Sequence, residues 1–84
     1  MATMEERIAS ALGALQPRTL EVVNESHLHA GHAGDDGSGE SHWRVVIAVP
    51  GWAGKTRLAK HRAVHAALGE IMGEIHALAL DITE

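Results

Sequence analysis

The stretch His42-Trp43-Arg44-Val45-Val46-Ile47-Ala48-Val49 constrains the fold more than any other. Trp43, Val45, Ile47 and Val49 fall on one side of a two-residue repeat. His42, Arg44, Val46 and Ala48 fall on the other. That alternation, rich in β-branched residues, predicts a strand with one face on a core. The second face is also fairly apolar, which suits a central strand better than an edge. Whatever flanks this strand must therefore pair with it on both sides.

The flanks supply those partners. Thr3-Met4-Glu5-Glu6 has the spacing of a capping box, with Thr3 accepting from the Glu6 amide and Glu6 reaching back. Ile8, Ala11, Leu12 and Leu15 follow at one-faced helical spacing, and two acids in the first turn complement the helix dipole. Pro17 cannot continue the helix and biases Gln16 away from helical geometry, so the first helix is predicted over about residues 4 to 15. Leu20, Val22 and Asn24 alternate with Glu21 and Val23, predicting a strand over roughly 19 to 25. Ser26 to Ser41 has four glycines, Asp35, Asp36 and no periodicity, and is read as a long mobile loop carrying His27, His29 and His32.

Beyond the central strand, Pro50-Gly51 marks its end and Trp52 to Gly54 form a loop. A second helix is predicted from Thr56 or Arg57 to about Gly73. Leu58, Val64, Ala67, Leu68, Ile71, Met72 and Ile75 form its buried stripe, weakened late by Gly69 and Gly73. Leu78, Leu80 and Ile82 alternate with Ala77, Ala79 and Asp81 as a last strand. The first two strands pair antiparallel. A helical crossover of this length joins parallel strands and is right-handed. The expected fold is α/β (α+β), in the order α-β-β-α-β: a single domain over 1–84 with a three-stranded mixed sheet and two helices on one face.

Composition narrows the class. With no Phe, Tyr or Cys, the core is aliphatic around Trp43 and Trp52, and no disulfide supports it. No apolar run crosses a bilayer, and the amino terminus reads as an acidic helix start, so a soluble, cytoplasmic protein without a membrane role is expected. The net charge of −4 argues against a general nucleic-acid binder. Yet four of the seven Lys/Arg, Lys55, Arg57, Lys60 and Arg62, lie in one short segment.

The seven histidines are the other unusual feature. The topology brings the early loop (His27, His29, His32), His42 and His76 to one end of the sheet. His61 and His65 fall at the other end, His61 roughly 20 Å from His76. For each histidine alone a surface or structural role is the simpler reading: His42 facing solvent or the helix-free side, His65 covering the helix stripe. Convergence with His76 raises metal binding as a second reading. Two imidazoles do not close a structural zinc site, which takes four ligands, but they suit half of a shared one.

Other patterns exclude functions. Val49-Pro50-Gly51-Trp52-Ala53-Gly54-Lys55-Thr56 resembles a phosphate loop, but Val49 replaces its first glycine and no further strand carries a magnesium-binding Asp. Gly51-Trp52-Ala53-Gly54 and Gly31-His32-Ala33-Gly34 match the short GxxG clamp of KH domains, a weak pattern in a chain with nine glycines. There is no cysteine nucleophile and no supported Ser-His-Asp set, so enzyme activity is not indicated.

Taken in order, several segments resemble the BolA family. These are Leu20-Glu21-Val22, Asn24-Glu25-Ser26, Ser41-His42-Trp43, Gly54, Lys60-His61-Arg62 and His76-Ala77-Leu78, within a resemblance running from about Ile8 to Thr83. It implies a KH-like fold with a parallel strand pair. It also implies partnership with a monothiol glutaredoxin and a shared [2Fe-2S] cluster. There the glutaredoxin and glutathione give sulfur, and the BolA-like chain gives a histidine opening the last strand plus a loop His or Cys. The matching residues are His76 and, three residues after Ser26, His29, with His27 and His32 as loop alternatives. The expected state is a monomer alone and a heterodimer with its partner. Lacking Cys, the chain resembles the histidine-loop branch, whose imidazole ligation raises the cluster potential. A second family theme is duplex DNA binding and transcriptional control, here through Lys55, Arg57, Lys60, His61 and Arg62. Departures from the family pattern are Lys60 where Arg is usual, Trp43 and Trp52 where Phe is usual, and a long, His-rich first loop.

Overall fold

A computed structural model describes residues 2–26 and 41–83. The Gly- and His-rich segment 27–40 predicted as a loop, with His27, His29 and His32, lies outside the described residues. The elements are α1 (Met4–Gly13), β1 (Thr19–Asn24), β2 (His42–Ala48), α2 (Arg57–Leu68), a 3-10 helix η1 (Gly69–Gly73) and β3 (Ala77–Ile82).

The predicted central strand is central. The sheet order is β1-β2-β3, with β2 antiparallel to β1 and parallel to β3. Register lays the apolar positions in rows. Leu20, Ile47 and Ile82 form one, Val22, Val45 and Leu80 the next, and Asn24, Trp43 and Leu78 the third. Trp43, Val45 and Ile47 are buried, and they cluster with Ile8 and Leu12 of α1 and with Val64 and Leu68 of α2. Both helices therefore cover the same face of the sheet. Val49, Trp52, Ile71 and Ile75 complete the core from the turns.

Helix α1 starts as its sequence predicts, with the Thr3 hydroxyl oxygen accepting from the Glu6 N–H at 3.2 Å. The Glu6 carboxylate takes the Thr3 hydroxyl instead of reaching the Thr3 backbone. The α-helix ends two residues early, and Gln16 takes φ 55°, a left-handed residue that turns the chain into Pro17. Between β2 and α2, Trp52 N–H donates to the Val49 carbonyl at 3.2 Å across Pro50-Gly51. Gly51, at φ 90°, supplies the positive φ this turn needs after proline.

Two expectations for the second helix are corrected. The α-helix stops at Leu68, and the run to Gly73 is 3-10, because Gly69 (φ 54°, ψ −123°) leaves α geometry at a position open to glycine. Leu58, placed in the buried stripe by its apolar character, is 58 % exposed. At about 100° per residue, Leu58 lies roughly 120° around the helix from Val64, whereas Arg57, seven residues back, lies on nearly the same line as Val64.

Arg7 of α1 clasps Glu74 after η1 with both guanidinium nitrogens, Nη1 to Oε1 at 2.7 Å and Nη2 to Oε2 at 2.5 Å. These bonds, with the Arg7 charge, hold the Glu74 carboxyl below its ordinary value of 4.5. A carboxyl with a lowered folded-state pKa stabilises the fold above its unfolded pKa and loses that contribution as pH falls through the folded value. Glu74→Gln is therefore expected to lower the thermal midpoint slightly at neutral pH. The difference should vanish in acid, where Glu74 is protonated in both states, and shrink in high salt because the pair faces solvent. Melting curves of both chains across acid pH check this.

Candidate metal centre and basic groove

At one end of the sheet the close of β1 meets the starts of β2 and β3. Ser26 N–H bonds the Asn24 side-chain oxygen at 2.9 Å, turning the chain as β1 ends. The His42 N–H donates to Ser26 Oγ at 3.0 Å, and the Glu25 N–H donates to the His42 carbonyl at 2.9 Å. On the other side, the Ser41 carbonyl accepts from the N–H groups of both His76 (2.8 Å) and Ala77 (3.1 Å). Ser26, Ser41 and His42 are all buried, so these bonds lie where water cannot compete.

This end holds the two described histidines that topology brought together, His42 and His76. His76 is exposed at the mouth of β3. His42 is only 6 % exposed, so of the two placements expected, solvent or the helix-free side, it takes the second. Its position is off the helix side of the sheet, but Ser41 and His76 close over it. His42 Nδ1 lies 2.8 Å from Ser41 Oγ, and the His42 and His76 rings stand 5.1 Å apart, tilted by 50°. Nearby, Arg44 Nε donates to Glu25 Oε2 at 3.0 Å across the outer sheet face. Composition pointed to the histidines but not to Ser26 or Ser41, whose role depends on three strand ends meeting. Among the described residues no group of three or more His, Cys, Asp or Glu is placed to hold a metal.

The donor set bears on an iron–sulfur cluster. The edge offers imidazole, and the chain has no cysteine, so it fits one share of a mixed-ligand cluster and not a complete one. His76 is the accessible donor, held in place through its backbone bond to Ser41.

At the opposite end of β3 lies a groove of about 340 Å³. Arg57, Lys60 and His61 of α2 line one side and Leu80, Asp81 and Ile82 the other. Ile82 pairs with Ile47, whereas the His76 end of β3 pairs with the start of β2, so the two sites are about a strand length apart. Of the basic residues singled out by sequence, Arg57, Lys60 and His61 converge there, while Lys55 and Arg62 are exposed outside it. Asp81 was missed as a site residue. Strand alternation puts it on the outer face, but only the packing of α2 against β3 places it beside the cations.

The family model for BolA-like proteins matches residues 12–84. The chain belongs to the BolA-like family. It is 40 % identical over 79 residues to the DNA-binding transcriptional regulator BolA of Escherichia coli, covering 92 % of this chain and 71 % of the relative. It is 47 % identical over 68 residues to BolA-like protein 1 of Bos taurus, covering 80 % of this chain and 47 % of the relative. The chain thus spans about half the length of that mammalian BolA-like protein. Its fold superposes on BolA1 from Arabidopsis thaliana with a TM-score of 0.82 at 31 % identity, covering 99 % of this chain and 93 % of that one. No helix among the described residues of this BolA-like chain is long and apolar enough to cross a membrane.

Proposed function

We propose that this BolA-like chain is a non-enzymatic adaptor that docks on a monothiol glutaredoxin and gives His76 to a [2Fe-2S] cluster shared with the glutaredoxin and glutathione. The observation that carries the reading is the exposed imidazole of His76 at a sheet end stiffened by the Ser41 and Ser26 hydrogen bonds. A ligand held on a strand mouth reaches outward without ordering a flexible segment first. Sulfur ligands come from the partner side, since this chain has no Cys. His29 is the second ligand of this reading, with His27 and His32 as its loop alternatives. Anaerobic reconstitution with a monothiol glutaredoxin and glutathione tests it. A one-to-one heterodimer with a visible circular-dichroism spectrum distinct from that of the glutaredoxin alone is the expected result. A glutaredoxin spectrum that this chain leaves unchanged, with no heterodimer on size exclusion, would sink the proposal.

A second reading, duplex DNA binding, is favoured by one observation: three cationic or titratable side chains of α2 line one groove. The Escherichia coli relative, named a DNA-binding transcriptional regulator, supports it. Counterion release makes binding weaken linearly on a log–log plot against salt, with a slope of about 0.9 per phosphate contacted. Lys60→Gln is expected to shallow that slope by about one contact while leaving the fold intact. Fluorescence titration of a duplex at several salt concentrations reads both quantities. No measurable binding near physiological salt would remove this reading.

A further inference from the structure

We propose that the open edge of β3 takes an extended acidic peptide as a fourth strand, its carboxylates held by Arg57, Lys60 and His61 of α2. β3 ends the sheet order β1-β2-β3, so one of its sides has no strand partner among the described residues. In a parallel pair each residue turns its N–H and C=O to the same side, and that side alternates along the strand. The Ala77 N–H donates to the Ser41 carbonyl and the Thr83 N–H to the Ile47 carbonyl, both at 3.1 Å. Ala79 and Asp81, in phase with them, also face β2, so the backbone groups of Leu78, Leu80 and Ile82 face outward. Outward-facing backbone groups on an edge are a template for another strand. Lysine or proline commonly blocks such pairing, and the run Ala-Leu-Ala-Leu-Asp-Ile of Ala77–Ile82 has neither.

The groove beside this strand sets what can pair with it. Leu80, Asp81 and Ile82 line it in succession. Leu80 and Ile82 turn their side chains to the helices and Asp81 to the other face, so a groove touching all three follows the strand backbone. Its far wall is Arg57, Lys60 and His61. Among the described residues none of these three forms an ion pair. A strand added about 4.8 Å from β3 sends alternate side chains toward α2, where carboxylates meet Arg57 and Lys60. The intervening side chains turn to the face of Asp81, which disfavours acids there. The occupant is therefore a segment with Asp or Glu at every second position and neutral residues between. The exposed Leu58 lines an adjoining hollow with Arg57 and His61, an apolar contact that a peptide can use and a phosphate backbone cannot. The cations are shared with the duplex-DNA reading, but the inference does not rest on it, since a duplex does not pair with a strand edge.

The probe is an acetylated, amidated peptide, Thr-Glu-Val-Glu-Val-Glu-Thr, titrated into the whole chain and followed by backbone amide NMR. Binding should slow hydrogen exchange at the outward N–H groups of Leu80 and Ile82. Ala79 and Asp81, already held by β2, should not change. Lys60→Glu should weaken binding roughly tenfold, as an attraction becomes a repulsion. Two further peptides carry N-methyl groups on one or the other alternate set of residues, which tests the pairing without altering the protein. One set faces β3 and should abolish binding, and the other should leave it in place. Shifts on α2 without slowed exchange at Leu80 and Ile82 would reduce the contact to ionic attraction and overturn the proposal. Equal losses from the two methylated peptides, or no binding at millimolar peptide, would do the same. A dimer on size exclusion, with Leu80 and Ile82 protected before any peptide is added, would make a second copy the occupant and overturn it as well.

Discussion

Replacing His76 with alanine is expected to leave the fold intact and to abolish the contribution of this chain to a glutaredoxin-shared cluster. The side chain is exposed and belongs to no part of the hydrophobic core. Its backbone N–H still reaches the Ser41 carbonyl in the variant. Stability should therefore move by no more than about 0.5 kcal/mol, the usual range for a surface change. The cluster readout should move much more. Without the imidazole, visible circular dichroism of the reconstituted mixture should collapse to that of the glutaredoxin and glutathione alone. His76→Cys sharpens the test, since a thiolate in place of imidazole keeps a ligand but lowers the reduction potential. A His76→Ala spectrum matching the parent would remove His76 from the ligand set.

Ile47→Ala should have the largest effect on stability. Ile47 is fully buried in β2, between Leu20 of β1 and Ile82 of β3, with the helices over it. Truncating a buried isoleucine costs about 2–5 kcal/mol, through lost burial and the cavity left behind. An 84-residue domain has only about 4–13 kcal/mol in total, so much of the chain should be unfolded at modest temperature. Val46→Ala, one residue along but half-exposed on the other face, should cost less than about 1 kcal/mol. Urea denaturation of the two variants side by side measures the contrast. Equal losses at both positions would mean that the helices do not define the core face.

The convergence of His42 and His76 at one end of the sheet was legible in the sequence. The parallel crossover follows from the length and helical period of the segment between β2 and β3, and with it the meeting of His42 and His76 at one end. His42 reads as facing solvent or the helix-free side; it lies on the helix-free side, but its burial was not legible. Alternation assigns a face but not a cover, and His42 is covered by Ser41 and by the ring of His76, residues adjacent to strand ends rather than within the repeat. Leu58 failed for the opposite reason. Its apolar side chain matched a stripe by type, but the helix phase set by Val64 and Leu68 leaves it outside. Asp81 beside Arg57, Lys60 and His61 depends on how α2 lies across β3, which no local pattern encodes.

The residues alone determined which segments form elements, the order and direction of the strands, and the face of β2 that becomes the core. Those outcomes rest on periodicity, caps and turn chemistry, which act over a few residues. Tertiary structure alone decided that His42 is buried, that Ser41 holds both His42 and His76, and that three basic groups share a groove with Asp81. Those depend on distances between segments far apart in the chain. The free energy of packing sets such distances, not the preference of any one stretch for a helix or a strand.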